Sequence, residues 1–244
     1  MTVKITTWNI NSVRLRLDKL ARLADEARPD IICLQETKVM DELFPKDPIA
    51  EMGYPHQWFR GMKAYNGVAI LSRLPLAGMG EKDWCGREDC RHIFACLPDG
   101  TEIHNFYVPA GGDVPDPETN DKFAHKLDFM GQAAAWWRGR NEDGARRILL
   151  GDLNVAPLET DVWSHKQMLR VVSHTPIEVA LLEAWRDAGQ WTDGVRQFIP
   201  PSERLYSWWS YRSRDWRVND RGRRPDHIWA SPALAPELVS AEVL

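Results

Sequence analysis

The sequence predicts a layered α/β domain built on a mixed sheet, and three features of the chain lead there. Short β-rich runs recur from end to end: VKITTWNI (3–10), DIICLQE (30–36), GVAILSR (67–73), HIFACLP (92–98), EIHNFYVP (102–109), RILLGDL (147–153) and DHIWAS (226–231). Helical spacing interrupts them. Leu17, Leu20, Leu23, Ala24 and Ala27 share one face of a helix over 14–27, which Arg28-Pro29 ends. A second helix over 119–139 carries Phe123, Leu127, Met130, Ala134 and Trp137, and a third spans 176–188. Third, several neighbouring strands are joined too closely for crossover helices, so the sheet must mix parallel with antiparallel pairs. No repeat, low-complexity tract or composition break marks a linker, and the expectation is a single domain over 1–244.

The composition, 43% hydrophobic and 27% charged over 244 residues, suits a globular chain with a sizeable core. A net charge of −4 does not by itself point to a polyanion partner, but local patches decide steering. Four cysteines, Cys33, Cys85, Cys90 and Cys96, form no regular framework. CGREDC lacks the second pair that a zinc site needs, so free thiols in a reducing cytoplasm are expected. The N-terminus has no apolar leader and no apolar run reaches membrane length, so no membrane partner is expected.

The uncommon polar residues fall at strand ends. TTWNIN ends in Asn9 and Asn11, ICLQE in Glu36, HNFYVP in Tyr107 before Pro109, and LLGDLN in Asp152 and Asn154, while RRPDHIW starts a strand at Asp226. Residues i and i+2 of an extended segment share a face, so Asp152 and Asn154 are expected side by side at the mouth of a sheet. Turn formation explains each terminus singly; Pro157, for example, forbids the strand to continue. Converging, the termini would make an oxygen-rich acidic pocket suited to Mg²⁺ or Mn²⁺ beside a substrate phosphate. The implied reaction is metal-assisted attack of water on a phosphoester.

TWNIN, LQETK, NFYVP, GDLNVAP, SWWSYR and RPDHIWASPAL, in this order over essentially the whole chain, resemble the exonuclease III family of abasic-site (AP) endonucleases. GDLNVAP and LQETK are shared with the wider endonuclease–exonuclease–phosphatase superfamily, whereas SWWSYR narrows the likeness to its DNA-repair branch. The fold this resemblance implies is a four-layered α/β sandwich, two mixed sheets packed face to face with helices outside. It makes Glu36 the principal metal ligand, with Asn9, Asp152 and Asn154 completing the set. It makes Asp152 the general base, Asn154 the residue that orients the water or stabilises charge, and Tyr107 a contact to the scissile phosphate. Asp226 is expected to pair with a transition-state histidine.

Two departures accompany the likeness. Ala110-Gly111-Gly112 stands where related enzymes often carry Asn or Gln, which leaves backbone amides to bind phosphate. The family also ends in a strand carrying Ser-Asp-His, whereas this sequence ends SAEVL and has no histidine after His227. His227 follows Asp226 directly and so faces the other side of a strand. A last strand missing from the sequence as given is the expectation; true absence would cost roughly 10²–10³ in rate.

Residues 204–224 hold seven arginines against two aspartates, interleaved with Tyr206, Trp208, Trp209, Tyr211 and Trp216. A basic loop beside an aromatic cluster is the plain reading, and phosphate-backbone binding is the functional one. Trp209, Arg212, Arg214 and Arg221, with Lys38, are the expected nucleic-acid contacts, with 60–67, Arg87 and Arg91 secondary. His165 is expected to be structural. The reading is thus a Mg²⁺-dependent, monomeric, cytoplasmic nuclease acting on double-stranded DNA with abasic sites or blocked 3′ ends. A phosphoesterase of small substrates and a catalytically impaired DNA-binding protein are the alternatives.

Overall fold

The computed structural model describes residues 2–210 and 215–244. The chain forms two compact units, Met1–Tyr107 with Arg146–Asp152, and Val108–Ala145 with Leu153–Leu244.

The first unit holds two mixed sheets. One contains β1 (Ile5–Asn9), β2 (Ile31–Gln35), β3 (His56–Met62) and β4 (Tyr65–Ser72), in the order β1-β2-β4-β3. β1 and β2 run parallel, and β4 is antiparallel to both β2 and β3. The other contains β5 (Ala77–Glu81), β6 (His92–Cys96), β7 (Glu102–Tyr107) and β8 (Arg147–Asp152) in that order. Its first three strands are antiparallel, and β7 and β8 are parallel. Two helices, α1 (Leu17–Glu26) and α2 (Lys46–Glu51), complete the unit.

Side-chain alternation builds the layers. Ile32 and Leu34 of β2 and Ala69 and Leu71 of β4 join Leu20 and Ala24 of α1 in one apolar cluster. The intervening residues face the second sheet, which is why β2 is buried along its whole length and reads as a continuous apolar run. One polar plug sits between the sheets. Asn105 of β7 donates to the carbonyls of Leu34 and Ala69, 2.9 Å each, and accepts from Gln35 Nε2 at 2.7 Å. Gly151 in β8 has φ +137°, and a Cβ there would lie 1.9 Å from the Phe106 carbonyl oxygen, so only glycine fits.

The second unit contains α3 (Asp121–Trp137), α4 (His165–Met168), α5 (Pro176–Ala188), β9 (Thr192–Asp193), α6 (Trp216–Asn219) and β10 (Asp226–Ala230). Asn120 caps α3 by accepting from the Lys122 amide. α5 starts with Pro176 at its first position and a Thr175–Glu178 capping box. α3 packs on α5, and β9 pairs antiparallel with β10. A buried ionic network lies beside β10. Arg224 donates to both Asp161 oxygens, at 2.9 and 3.1 Å, and to Asp193 at 2.8 Å, while Arg196 reaches Asp161 as well.

The expected strands all form, each shorter by one to three residues except β4, which starts two residues earlier than expected. β3, β5 and the two-residue β9 have no counterpart among them. HQWFRGM is half-buried throughout and AGMGE largely exposed, so neither offers an apolar run to read. The helix expected over 14–27 begins as a 3₁₀ turn, Arg14–Arg16, before α1. Among the described residues, no helix is long and apolar enough to cross a membrane.

Candidate active site

Both sheets of the first unit contain one parallel pair, and parallel strands bring their C-terminal ends to one edge. Asn9 pairs with Gln35, the residue before Glu36, and Tyr107 pairs with Asp152. β1 packs across from β8, so the two pairs face each other and their four terminal polar residues meet. Ligand sites at the carboxyl ends of strands follow the same geometric logic in open α/β sheets.

A single amide nitrogen organises the cluster. Asn9 Nδ2 donates one hydrogen to Glu36 Oε1 at 2.9 Å and the other to Asp152 Oδ2 at 2.7 Å. The Tyr107 hydroxyl also donates to Glu36 Oε1, at 2.9 Å, and Lys38 Nζ lies 2.6 Å from Glu36 Oε2. Lys38 donates in addition to Asn11 Oδ1 at 2.6 Å, and the Asn11 backbone N–H donates to Asn9 Oδ1. Burial pushes the Glu36 carboxyl up, but the hydrogen bonds from Asn9, Lys38 and Tyr107 outweigh it and hold the group below its ordinary range. Burial, with the charges of Glu36 and Asp152, pushes the Tyr107 phenol well above its ordinary value, so it stays protonated and donates.

The backbone around these residues is unusual. Asn11, Glu36 and Lys38 have φ of 46°, 52° and 52°, left-handed values that cost a non-glycine residue about 1 kcal/mol or more. The cross-links above hold them there. Arg91, expected at a DNA surface, is instead buried against Tyr107. Its guanidinium lies 4.9 Å from that ring centroid, donates to the Tyr107 carbonyl and pairs with Asp89. Nothing in the sequence marks it as a support for Tyr107, since it precedes β6 without any motif of its own.

The geometry also changes two expected parts. Asn9 turns its nitrogen, not its oxygen, toward both carboxylates and cross-links them. Asn154 does not continue β8 on the Asp152 face: its φ of 55° takes the chain out of the strand, and its amide donates to the Val108 carbonyl at 2.9 Å. The i, i+2 rule requires extended backbone, and here it fails. Lys38, expected at a phosphate, stands within the carboxylate cluster itself.

In the second unit, Asp226 and His227 face opposite ways on β10, as alternation requires. Ser207 Oγ donates to Asp226 Oδ2 at 2.6 Å, and His227 Nε2 donates to the Val155 carbonyl at 2.8 Å. Burial raises the Asp226 carboxyl to about 6, against a smaller opposing effect of Ser207 and Arg224. The folded state therefore holds a proton that the unfolded chain releases near pH 4. Asp226 contributes stability below about pH 4, and that contribution is lost as pH rises through about 6. Asp226→Asn is accordingly expected to flatten the Tm–pH curve between pH 4 and 6; an unchanged slope would assign it to another group.

Of the expected DNA contacts, Trp209 sits in an aromatic group, 6.0 Å from Tyr206 and 5.1 Å from Trp216, with its Nε1 donating to Asp220. Arg221 is exposed and stacks over Trp163 at 4.5 Å. Arg212 and Arg214 lie outside the described residues. His165 Nδ1 pairs with His174 Nε2 at 2.9 Å.

Among the described residues, no group of three or more His, Cys, Asp and Glu gathers in the manner of an all-protein metal cage. The donor set in the first unit is two carboxylates with all-oxygen chemistry. That fits a hard divalent ion which keeps several waters and binds beside phosphate. Two facing mixed sheets with such a carboxylate pair at their strand ends supply what metal-assisted phosphoester hydrolysis needs.

Residues 6–243 match the Endonuclease/Exonuclease/phosphatase family. The exodeoxyribonuclease III of Haemophilus influenzae is 30% identical over 99% of this chain and 92% of its own length. An AP endonuclease from Archaeoglobus fulgidus superposes with a TM-score of 0.88 at 31% identity, covering 96% of this chain and 89% of that one. A 3′ phosphatase from Neisseria, NExo, bound to a product DNA hairpin, gives 0.87 at 31% identity with the same coverage. The chain belongs to the Endonuclease/Exonuclease/phosphatase family, has its α/β sandwich fold, and is a DNA repair nuclease of the exonuclease III type.

Proposed function

We propose that this chain hydrolyses the phosphodiester 5′ to an abasic site in double-stranded DNA, trims blocked 3′ ends by 3′–5′ exonuclease and 3′-phosphodiesterase action, and uses Mg²⁺ or Mn²⁺. The observation that carries the reading is the cross-link of Glu36 and Asp152 through one Asn9 amide, beside a protonated Tyr107. Residues 1–244 act as one nuclease domain, a reading supported by a family match that spans 6–243. Free thiols at Cys33, Cys90 and Cys96 support a cytoplasmic setting, and a monomer suffices for the chemistry.

Glu36 holds the cation, which when bound neutralises phosphate charge and favours ionisation of a water. Asp152 takes the proton of the attacking water, and Asn9 keeps its carboxylate aimed. Tyr107 donates to a phosphate oxygen, with the Lys38 ammonium adding positive charge. Asn154 orients the water or the developing charge, and Asp226 orients a transition-state donor. Trp209, Arg221, Arg212 and Arg214 track the DNA.

A duplex with one abasic site tests the proposal. Nicking on its 5′ side should require Mg²⁺ or Mn²⁺, stop with EDTA and return on re-addition. Binding should weaken steeply between 50 and 200 mM salt, roughly 10³-fold if about six phosphates are contacted. Absence of nicking with either ion, alongside turnover of a small phosphomonoester, would replace this reading with the small-substrate one. Binding indifferent to salt would remove the arginine segment from the interface.

A further inference from the structure

In the loop that follows β8, three consecutive carbonyls are each held by a different buried side chain of the second unit. Lys126 Nζ of α3 donates to the Asn154 carbonyl at 2.8 Å. His227 Nε2 of β10 donates to that of Val155 at 2.8 Å, and His174 Nδ1 to that of Ala156 at 2.5 Å. The loop amides are held too, Leu153 by the Pro225 carbonyl and Ala156 by that of Ser173. A loop beyond a strand end normally leaves such groups to water; here the protein supplies every one of these partners.

Lys126 is the least expected member. It is completely buried, as is its partner Glu178, and the ion pair between them is 2.5 Å long. Glu178 is already occupied as the capping-box residue of α5, accepting from the Ser173 and Thr175 amides and the Thr175 hydroxyl. Capping needs no ammonium. A buried ion pair generally adds little stability over apolar side chains of the same size. Its short bond to the Asn154 carbonyl, beside a longer one of 3.5 Å to that of Ala110, gives Lys126 a reason to be there. Asn154 has left-handed backbone, and fixing its carbonyl fixes the peptide rotation that sets where its side chain leaves the chain. Gly111 makes room for the lysine stem, since a Cβ there would lie 2.9 Å from Lys126 Cδ.

We propose that Lys126 is a positioning residue for Asn154, acting through the Asn154 carbonyl and held to its task by Glu178. The proposal rests on the catalytic role given to Asn154 above. It predicts that losing Lys126 lowers kcat while leaving DNA affinity in place, because the loop then samples other rotations.

The test is a double-mutant cycle on abasic-site cleavage in saturating Mg²⁺. Lys126→Met combined with Glu178→Gln removes both buried charges and keeps an oxygen for the α5 cap. Expected are a kcat about 10- to 100-fold lower, KM within about twofold, and thermal unfolding close to the native enzyme's. Asn154→Ala, which should slow the native enzyme by a similar factor, should cost little more in the paired variant. An unchanged kcat, or the full cost of Asn154→Ala in both backgrounds, overturns the proposal. Should the pair not fold, Lys126→Arg keeps the charge for Glu178 but displaces the donor, and the same cycle applies: coupling to Asn154→Ala supports the assignment and additivity overturns it. Asn154→Ala without effect on the native enzyme would instead remove the role of Asn154 itself.

Discussion

An Asp152→Asn enzyme is expected to bind duplex DNA about as well as the native protein and to cleave it about 10²–10⁴ times more slowly. The replacing amide has the same shape, and its oxygen can still accept from Asn9 Nδ2, so the cross-link to Glu36 survives. The capacity to take a proton is lost, and with it the negative charge. Removing a negative charge beside a phosphodiester does not weaken binding, and at low salt it should tighten it slightly. Single-turnover cleavage and fluorescence anisotropy on one abasic duplex separate the two quantities. Cleavage within tenfold of the native rate would mean that another group takes the proton. Loss of binding together with cleavage would mean that Asp152 holds the fold rather than the reaction.

The largest expected effect on stability lies away from the carboxylate cluster, at Asp161. This carboxylate is wholly buried and neutralises two guanidinium groups, Arg196 and Arg224, the latter itself almost without solvent contact. Asp161→Ala would strand two guanidinium groups: Arg224 would keep Asp193, and Arg196 would keep the Pro200 and Glu203 carbonyls and the Thr160 hydroxyl, none of which carries a charge to match its own. Removing one partner of a buried ionic group costs about 3–5 kcal/mol, well above the value of the interaction itself, because the remaining charge is not resolvated. Urea unfolding at pH 7 should show the midpoint falling with little change in slope. A loss below about 1 kcal/mol would mean that water reaches the arginines. Arg22 and Glu26 on α1 form an ion pair at comparable distance, but both are exposed, and Arg22→Ala should leave the melt unaltered.

The sequence showed where the site residues sit along the chain better than it showed how they are oriented. Asn9, Glu36, Tyr107 and Asp152 were readable because each ends a run of strand-forming residues, and a parallel pair needs only matching ends to bring them together. Their mutual bonding was not readable. That Asn9 presents nitrogen rather than oxygen follows from two carboxylates competing for one amide, a fact about three dimensions. Asn154 was misplaced for a local reason: Asn tolerates left-handed backbone, and Pro157 already warned that the strand was ending. Lys126 and Arg91 gave no signal. A lysine within an α-helical pattern ordinarily faces water, and nothing in DKFAHKL says that this one is sealed between α3 and α5.

The polar plug at Asn105 carries a consequence for how this scaffold tolerates change. Its amide nitrogen is committed to two carbonyls on neighbouring strands of the opposite sheet and its oxygen to Gln35, so it fits one alignment of the sheets and no other. Apolar side chains around α1 can be exchanged for others of similar volume with modest loss. At the inter-sheet layer, an equally greasy substitute for Asn105 would leave the Leu34 and Ala69 carbonyls without donors and let the sheets slide. A displacement of one residue there would carry Asp152 away from Glu36 by the length of a peptide unit, about 3.3 Å. Directed evolution of a hardier enzyme should therefore find its gains on the α1 side, and variants selected for activity should keep asparagine at position 105.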